Sequence, residues 1–345
     1  MNTTVFPGRE WISAQASYAT QADELIAMVD RLDDQLRQVH LEKPARVSVV
    51  GIGASHAAAA TAVYEMRRHG LDAHRFLPSE LPAGLSGHHG LTVLISQSGR
   101  SAEVVDLVRH GATADQVAIT NYSPSPLGTL CEREINLGNL SDSSVSFVSF
   151  SGTMLALAML LDQWTDRNRT GHWKQQIALA AETADRLDAE IRGMAEMLLY
   201  SASIDIVAPA PLMSVAEEGV LMLREGPRLF ATAMETRQYL HGPMDAAGPG
   251  AHLLFGGTRE AQLVSQLSER TQRLALVTGA NTIADAGHGH QLVLPFDFSD
   301  PLPFAIASTF IAQKLTLHAA DIRGFDINEP AFQRIDTKTD SLTNI

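Results

Sequence analysis

The sequence predicts an α/β protein with two similar domains, each a parallel β-sheet flanked by helices. Two observations predict this fold: short apolar strands alternate with helical segments, and the strands of the first half recur in the second half. Alternation of strands and helices is typical of parallel sheets that helices cover. The length of 345 residues also suits two domains, because single domains commonly have roughly 100 to 200 residues.

The first 45 residues contain one helical pattern, with apolar side chains at spacings of three and four from Leu25 to Leu36. We interpret residues 1–45 as a helical leader and residues 46–165 as the first domain. Within that domain the sequence predicts a strand from Val47, a helix over 57–69, a strand over 91–95, a helix over 103–110, a strand over 116–121 and a strand near Ile135.

The rest of the chain is predicted to contain bridging helices, a second domain and a tail. Helices are expected around 152–164 and 173–200, and residues 166–200 are interpreted as the bridge. The second domain is predicted over 201–330 and the C-terminal tail over 331–345.

The second half of the sequence repeats the strands of the first half. The run from Val47 matches the run from Ile204 at an offset of 157 residues, and the run from Gln116 matches that from Leu274 at 158. Between them, 92–95 corresponds to 252–255 at about the same shift. Near-constant offsets indicate an internal duplication.

Composition and charge exclude several classes of function. The 26 Lys and Arg and 39 Asp and Glu give a net charge of −13, which opposes binding to nucleic acid or to anionic membranes. The sequence contains neither a signal-peptide pattern nor an apolar run of transmembrane length. The single cysteine, Cys131, excludes intramolecular disulfides. We therefore expect a cytoplasmic protein.

A hydroxyl-rich loop follows the predicted strand over 91–95. Ser96-Gln-Ser-Gly-Arg-Ser101 stands between this strand and the next helix, where a parallel sheet presents helix N-termini to ligands. Three hydroxyls and a glycine turn could surround a phosphate group. The alternative is a capped helix N-terminus without a ligand.

Several motifs together resemble the sugar isomerase (SIS) domain family. Gly51-Ile-Gly-Ala-Ser55, Ser79-Glu80, the loop 96–101 and Ala118-Ile-Thr-Asn121 are similar, in this order, to the successive motifs of that domain. In the second half, 216–225 and His241-Gly-Pro243 resemble the glutamate helix and the histidine turn of the isomerase half of glucosamine-6-phosphate synthase. The resemblance covers about residues 45 to 330, and 324–330 is similar to the segment before that enzyme's final active-site loop.

The resemblance implies two tandem SIS domains of flavodoxin-like three-layer α/β/α architecture and an enzyme that acts on a phosphorylated sugar or aminosugar. It assigns Glu225 as general base and His241 as the group that opens the sugar ring. In the family this histidine commonly serves the partner's site, so a homodimer with shared active sites is expected. The implied substrate ligands are Ser55, Ser96, Gln97, Ser98, Ser101 and Glu218.

The chemistry of these residue types agrees with the implied roles. Converting an aldose to a ketose, or an aminosugar to its keto form, moves a proton between adjacent carbons through an enediol or enolamine. One carboxylate, that of Glu225, could serve both carbons. Ring opening needs a proton shuttle, and the imidazole of His241 titrates near neutral pH.

The chain also departs from the pattern of the synthase. Met222 replaces a lysine on the glutamate helix, and Gln238 replaces a glutamate before the histidine. The synthase's C-terminal lysine corresponds to Ile335, so we expect Arg334 or Lys338 to take its place in an active-site tail. No glutaminase domain or N-terminal cysteine nucleophile precedes the SIS region, and glutamine-dependent synthesis is not expected.

We predict no metal and no organic cofactor. The histidine pairs His88-His89 and His288-Gly-His290 have no evident third ligand and are expected in surface loops. The leading hypothesis is therefore a phosphosugar isomerase or an aminosugar-phosphate deaminase. The alternatives are a deglycase of 6-phosphofructosamine adducts and a non-catalytic phosphosugar-binding protein.

Overall fold

The computed structural model describes residues 4–5, 11–82, 90–110, 115–282, 289–339 and 341–342. His88, His89 and His288 lie outside the described residues. The strands are β1 (Thr4–Val5), β2 (Arg46–Val50), β3 (Asp72–Phe76), β4 (Leu91–Ile95), β5 (Gln116–Thr120), β6 (Glu134–Asn136), β7 (Ile204–Ala208), β8 (Ala231–Glu235), β9 (Ala251–Gly256), β10 (Leu274–Gly279), β11 (His290–Leu294) and β12 (Ser341–Leu342).

Helices cover both sheets and connect the two halves of the chain. They are α1 (Ala14–Val39), α2 (Ala54–Arg68), α3 (Ala102–His110), α4 (Pro126–Leu130), α5 (Val148–Trp164), α6 (Thr170–Arg186), α7 (Asp188–Leu199), α8 (Met213–Glu225), α9 (Thr236–Leu240), α10 (Thr258–Leu267) and α11 (Pro301–Arg323). Within the described residues, no helix combines the length and apolar character that a bilayer crossing requires.

Each half contains a five-stranded sheet in which all neighbouring strands are parallel. The first sheet has the order β3-β2-β4-β5-β6 and the second has the order β8-β7-β9-β10-β11. Counted from the first strand of each half, both orders are 2-1-3-4-5, so the two sheets share one topology. The predicted α/β fold with two parallel sheets flanked by helices is confirmed.

The hydrogen-bond register of the sheets matches the sequence repeat. Val47 pairs with Leu91 in the first sheet, and Ile204, the residue that matches Val47, pairs with Ala251 in the second. In the same way, the pair Thr92–Gln116 recurs as His252–Leu274. The duplicated segments therefore occupy equivalent strands in equivalent register.

The two halves are joined through helices and share a hydrophobic core. Helix α2 packs against α8, and the long α11 packs against α6, α7 and α8. Ser214 of α8 accepts a hydrogen bond from the Thr61 N–H of α2 at 2.9 Å. Arg75 donates two hydrogen bonds of 2.5 Å to the carboxylate of Glu217, which links β3 to α8. These contacts hold α8 of the second half against α2 and β3 of the first half.

Some local predictions differ from the structure. The helix predicted over 173–200 is broken at Leu187 into α6 and α7, and both pieces pack against α11. The helix predicted around 152–164 begins earlier, at Val148, and the carboxylate of Asp142 upstream accepts the Ser149 N–H in its first turn at 3.0 Å. His290, which is expected in a loop, is instead the first residue of β11.

Candidate active site

The loop 96–101 joins the end of β4 to the start of α3 and is folded around its own serines. Ser96 Oγ lies 3.0 Å from Ser101 Oγ and also accepts the Ser101 N–H at 3.3 Å. Gly99 has φ +62, and a Cβ there would collide with Ser125 Oγ, so the turn requires glycine. The hydroxyls of the loop therefore converge at the N-terminus of α3, where anions bind readily.

Gln97 in this loop has a polar atom without a partner. Its side-chain Nε2 is buried, and no hydrogen-bond acceptor reaches it among the described residues. Its backbone carbonyl accepts the N–H of Asn121 at 2.9 Å, which fixes the loop against the end of β5. A buried N–H donor without an acceptor is costly, so the geometry fits a ligand oxygen at this place.

The C-terminal tail runs antiparallel to the serine loop. Ser101 and Lys338 form an isolated β-bridge, and the Ala102 N–H donates to the Thr337 carbonyl at 3.2 Å. The Lys338 ammonium donates a hydrogen bond to Ser98 Oγ at 3.2 Å. The tail therefore adds one positive charge beside the serine hydroxyls.

The same tail contacts the end of helix α8. Arg334 donates from Nη2 to Oε1 of Glu225 at 2.7 Å, and the Glu225 side chain is 30% exposed. Burial raises the pKa of the Glu225 carboxyl, and the neighbouring Arg334 guanidinium offsets part of this rise. Glu225 is therefore a carboxylate whose pKa is moved towards the working range of a general base.

A close approach anchors the tail beside Glu225. The side chain of Ile327 is buried and packs on Gly226, where a Cβ would lie only 2.9 Å from Ile327 Cδ1. Next to it, Asn328 accepts the N–H of Ala14 at 2.8 Å and so caps helix α1. The tail is thus held between the two halves before it reaches the site.

Glu218 lies on the face of α8 that also carries Glu225. Positions 218, 222 and 225 are spaced by four and three residues, and both Glu218 and Met222 are buried. Burial raises the pKa of Glu218 well above its ordinary value, and the charges of Glu225 and Asp142 raise it further. Glu218 Oε2 has no hydrogen-bond partner among the described residues. Met222 supplies no cation to this face, so Glu218 favours its neutral form.

Asp142 is a buried carboxylate that the sequence analysis did not identify. It accepts hydrogen bonds from Ser17 Oγ at 2.7 Å and from the N–H groups of Ser143, Phe147 and Ser149 at 2.8 to 3.1 Å. It therefore caps α5 and ties α1 to it. A lone acidic residue in a serine-rich segment before an apolar helix was the available signal.

The remaining predicted residues belong to α2 and to the end of α9. Ser55 is the second residue of α2 and is half-buried. His241 is exposed at the end of α9, and its backbone N–H donates to the Gln238 carbonyl at 3.1 Å. Its imidazole makes no hydrogen bond within the part of the chain that the structure describes. Within one chain the tail contacts both Glu225 and the serine loop, and His241 is exposed.

Sequence comparison finds relatives that match most of this chain. The chain is 25% identical over 342 residues to glutamine--fructose-6-phosphate aminotransferase [isomerizing] of Zymomonas mobilis, covering 91% of this chain and 54% of the relative. It is 22% identical over 334 residues to the aminotransferase of Francisella tularensis, covering 90% and 54%. The chain spans about half the length of the curated relatives it matches. No protein-family profile matches it.

Solved structures show which half of these relatives the chain matches. The C-terminal domain of the Francisella tularensis aminotransferase superposes with a TM-score of 0.79 at 21% identity and covers 93% of this chain and 98% of its own. The chain is a homologue of this SIS-domain half. The resemblance inferred from its motifs is confirmed.

Other SIS structures have the same fold. Glucosamine-6-phosphate deaminase of Thermotoga maritima gives a TM-score of 0.72 at 18% identity, covering 93% of this chain and 98% of that one. Tagatose-6-phosphate ketose/aldose isomerase of Escherichia coli gives 0.74 at 15% identity, covering 93% and 97%. These similarities support the tandem SIS fold.

In the second SIS domain, a carboxylate of the protein occupies the loop that is equivalent to the serine loop. After β9, the strand equivalent to β4, Glu260 Oε2 accepts the Gly257 N–H at 2.9 Å and Oε1 accepts the Thr236 hydroxyl at 2.7 Å. Glu260 is buried. A phosphate at this place would meet a carboxylate, so only the loop of the first SIS domain is suited to an anion.

One cavity lies apart from these elements. It has a volume of about 300 Å³, lies between α1, α5 and α6, and is lined by residues such as Asp162, Arg167 and Trp173, and by none of the predicted site residues. Within the described ranges, no three His, Cys, Asp or Glu side chains group together as metal ligands would.

Proposed function

We propose that this SIS protein is a phosphosugar isomerase or aminosugar-phosphate deaminase that works by proton transfer. The observation that carries the proposal is the tail, which contacts Glu225 through Arg334 and Ser98 through Lys338. The Cα atoms of these two tail residues lie at most roughly 14 Å apart, because an extended chain advances about 3.6 Å per residue. In this proposal, the substrate lies along the tail between Glu225 and the serine loop.

The serine loop supplies the phosphate end of that space. The hydroxyls of Ser96, Ser98 and Ser101 and the unpaired Gln97 Nε2 present donors to an anion, and Lys338 adds a positive charge. Charge-assisted hydrogen bonds to phosphate are stronger than neutral ones. A phosphorylated substrate would therefore be held by the first SIS domain.

Glu225 supplies the proton transfer. With a phosphosugar held by the loop, its carboxylate would remove a proton from C2 of the open chain and return it at C1 through an enediol or enolamine. For an aminosugar phosphate, the product is an imine at C2, which water hydrolyses to the ketose phosphate and ammonia. The elevated pKa makes Glu225 both a stronger base and a usable proton donor.

Ring opening is assigned to His241 of a neighbouring subunit. The imidazole is exposed and makes no hydrogen bond among the described residues. A homodimer in which each histidine turn enters the partner's pocket would complete two equivalent sites.

The charges beside the base favour a substrate that carries an amine. Glu218 and Glu225 share one face of α8, the charge of Asp142 acts on the same face, and Met222 stands where a cation would neutralise it. Because Glu218 favours its neutral form, the negative charge at this face comes from Glu225 and Asp142, and an ammonium group of the substrate would be attracted to it. The proposal therefore ranks an aminosugar phosphate above a simple hexose phosphate.

Deglycation of a 6-phosphofructosamine is a second candidate. Its substrate also has an amine, which bears a further substituent. The apolar side chains of Phe332 and Ile335 are 83% and 82% exposed and flank Arg334, so an amine substituent could pack on them. The third alternative, binding without turnover, predicts affinity for sugar phosphates and no product.

A substrate panel tests the proposal. Fructose 6-phosphate, glucosamine 6-phosphate and a set of 6-phosphofructosamines are incubated with the protein, and mass spectrometry identifies the products. Aldose–ketose interconversion or release of ammonia supports the leading proposal, whereas release of a substituted amine supports the deglycase. Binding to phosphosugars without any product contradicts both enzymatic candidates.

The role of Glu225 is tested on the substrate that this panel identifies. Glu225→Gln should lower kcat by about 10² to 10⁴-fold, the range general-base catalysis contributes, and leave the Kd of the sugar phosphate within about twofold. The control is Glu196→Gln, which changes a 58% exposed side chain on α7 and should leave kcat unaltered. Activity of Glu225→Gln within about tenfold of wild type removes Glu225 as the base.

A further inference from the structure

The helix that carries the histidine turn is too short to be stable on its own. Helix α9 has five residues, Thr236–Leu240, and His241 follows directly. Isolated helices shorter than about 12 residues are marginal in water, so tertiary contacts must fix this one. Those contacts decide where the exposed imidazole points.

A buried polar network holds the C-terminal turn of α9. The Tyr239 ring is fully buried, and its hydroxyl lies 3.1 Å from Nδ1 of His252 on β9, which is 1% exposed. The same Nδ1 lies 3.4 Å from the carboxylate of Asp205 on β7, which also accepts the Thr232 hydroxyl at 2.8 Å. One hydroxyl thus connects α9 to three strands of the second sheet.

The charge in this network belongs to Asp205. Burial tends to raise its pKa, but hydrogen bonds from His252 and Thr232 outweigh burial, and the pKa lies below its ordinary value. An ionised carboxylate holds the Nδ1–H of the imidazole and the tyrosine hydroxyl more strongly than a neutral acceptor would.

The second ring nitrogen of His252, Nε2, indicates that packing alone does not explain a histidine at this position. Nε2 is buried and has no hydrogen-bond partner among the described residues. A buried polar atom without a partner costs free energy, and an apolar residue would avoid this cost. The contacts of Nδ1 with Tyr239 and Asp205 therefore explain why this residue is a histidine.

The N-terminal turn of α9 is fixed independently. Glu235 accepts the N–H groups of Arg237 and Gln238 at 2.8 and 3.0 Å, and the Thr236 hydroxyl donates to Glu260 at 2.7 Å. Both ends of the helix are thus tied by directional hydrogen bonds to the second SIS domain. Of these, only the Tyr239 contact lies within two residues of His241.

We propose that Tyr239 is a positioning residue that orients His241 through the buried contact of its hydroxyl with His252 and Asp205. The inference rests on the proposed function, in which His241 opens the sugar ring. Tyr239 itself is buried and touches no substrate. Its hydroxyl fixes the rotation of α9, and the direction of the imidazole follows.

A double-mutant cycle tests this role on the substrate that the panel identifies. Tyr239→Phe keeps the ring and should lower kcat roughly tenfold with KM within about twofold, since misplacement by about 1 Å can cost 10²-fold in rate. In a His241→Gln background, the same change should have no further effect. Thr316→Val, which removes a buried hydroxyl from α11, is the matched control and should leave kcat unchanged.

Two kinetic outcomes overturn the proposal. One is a Tyr239→Phe effect no larger than that of the control. The other is a full additional loss in the His241→Gln background, because the hydroxyl would then act by a route other than His241. If Tyr239→Phe does not fold, Asp205→Asn replaces it in the same cycle.

A readout independent of activity separates this inference from the proposed function. The imidazole resonance of His241 is assigned in the NMR spectrum of the full chain by its loss in His241→Gln. Tyr239→Phe should shift this resonance and Thr316→Val should not. If the resonance does not shift in Tyr239→Phe, the positioning role is wrong, even if the enzyme is active. If the resonance shifts but the wild-type protein shows no turnover, only the proposed function is contradicted.

Discussion

Arg334 Nη2 lies 2.7 Å from Glu225 Oε1, although 109 residues separate them in the chain. The contact sets a guanidinium from the tail against the carboxylate that is proposed to abstract the proton. Three residues after Arg334 the tail pairs with the loop of the first SIS domain, and the next residue, Lys338, contacts Ser98. The tail therefore adjusts the base and the anion end of the site together.

Removing the guanidinium should change the pH dependence of the reaction. Arg334 favours the ionised form of Glu225, so Arg334→Gln should raise the pKa of Glu225 further. The base is active when ionised, so the acid limb of kcat/KM against pH should move to higher pH. Activity on that limb should fall roughly two- to fivefold, because partly exposed ion pairs are worth only about 0–1 kcal/mol.

The matched control for this prediction is Arg334→Lys. It keeps a positive charge beside Glu225 and should retain most of the position of the acid limb. The pH profiles of kcat/KM for the three proteins are compared at constant ionic strength. An acid limb that stays in place in Arg334→Gln contradicts the coupling of these two residues.

Glu218 should make the protein less stable as pH rises. Its pKa is higher in the folded than in the unfolded state, so the folded state binds more protons between the two values. The free energy of unfolding therefore falls as pH rises from the ordinary glutamate pKa through the elevated one, by about 1.4 kcal/mol for each pH unit that separates the two pKa values.

Glu218→Met should remove this pH dependence. The variant replaces a buried carboxyl by an apolar side chain of similar length, beside the buried Met222. We expect a higher Tm than wild type at neutral pH, by about 2 °C or more, and a smaller gain in acid. Calorimetry across the pH range measures it, with the exposed Glu196→Met as control. A Tm gain of equal size at every pH would falsify the titration of Glu218.

The proposed role of the serine loop leads to a prediction about the binding of sugar phosphates. Ser98→Ala combined with Ser101→Ala should weaken affinity for sugar phosphates by roughly 1.5 to 3 kcal/mol per hydroxyl, because each lost group donates to a charged ligand. Lys338→Met should also weaken the affinity for sugar phosphates. Lys174→Met, the control, removes a lysine of α6 that pairs with Asp30 of α1 and should leave this affinity unchanged. Calorimetric titration with phosphorylated and free sugars gives the comparison. Equal weakening for both kinds of sugar would place the phosphate elsewhere.

The sequence predicted the strands whose signals are local and repeated, but it did not predict β8 or β11. The runs at Val47, Ile204, Gln116 and Leu274 are short, apolar and evenly offset, and the structure places them in equivalent strands. The break at Leu187 was not predicted, since both flanking segments have the same helical periodicity.

Only part of the candidate site could be predicted from the sequence. The serine loop and the glutamate helix are contiguous motifs, so their positions could be predicted. Whether Arg334 or Lys338 would serve the site could not be decided, and each has a different partner in the structure. The network of Asp205, Tyr239 and His252 was missed because three separate elements supply it.

The assembly of the active site makes the last prediction. His241 is exposed, and we propose that it enters the pocket of a partner subunit. Glu225→Gln and His241→Ala chains should then each be inactive as homodimers. In a mixed dimer, one of the two pockets combines a wild-type Glu225 with a wild-type His241.

Mixing the two inactive proteins should therefore restore activity. Random exchange of equal amounts gives half heterodimers, each with one intact site of two, so about a quarter of the wild-type activity should return if sites act independently. Subunit exchange is followed separately by native mass spectrometry of chains with different tags. Monomers, or dimers with complete sites in each chain, cannot complement in this way. Inactive mixtures with a full complement of heterodimers would show that Glu225 and His241 do not meet across an interface, or that one of them is not catalytic.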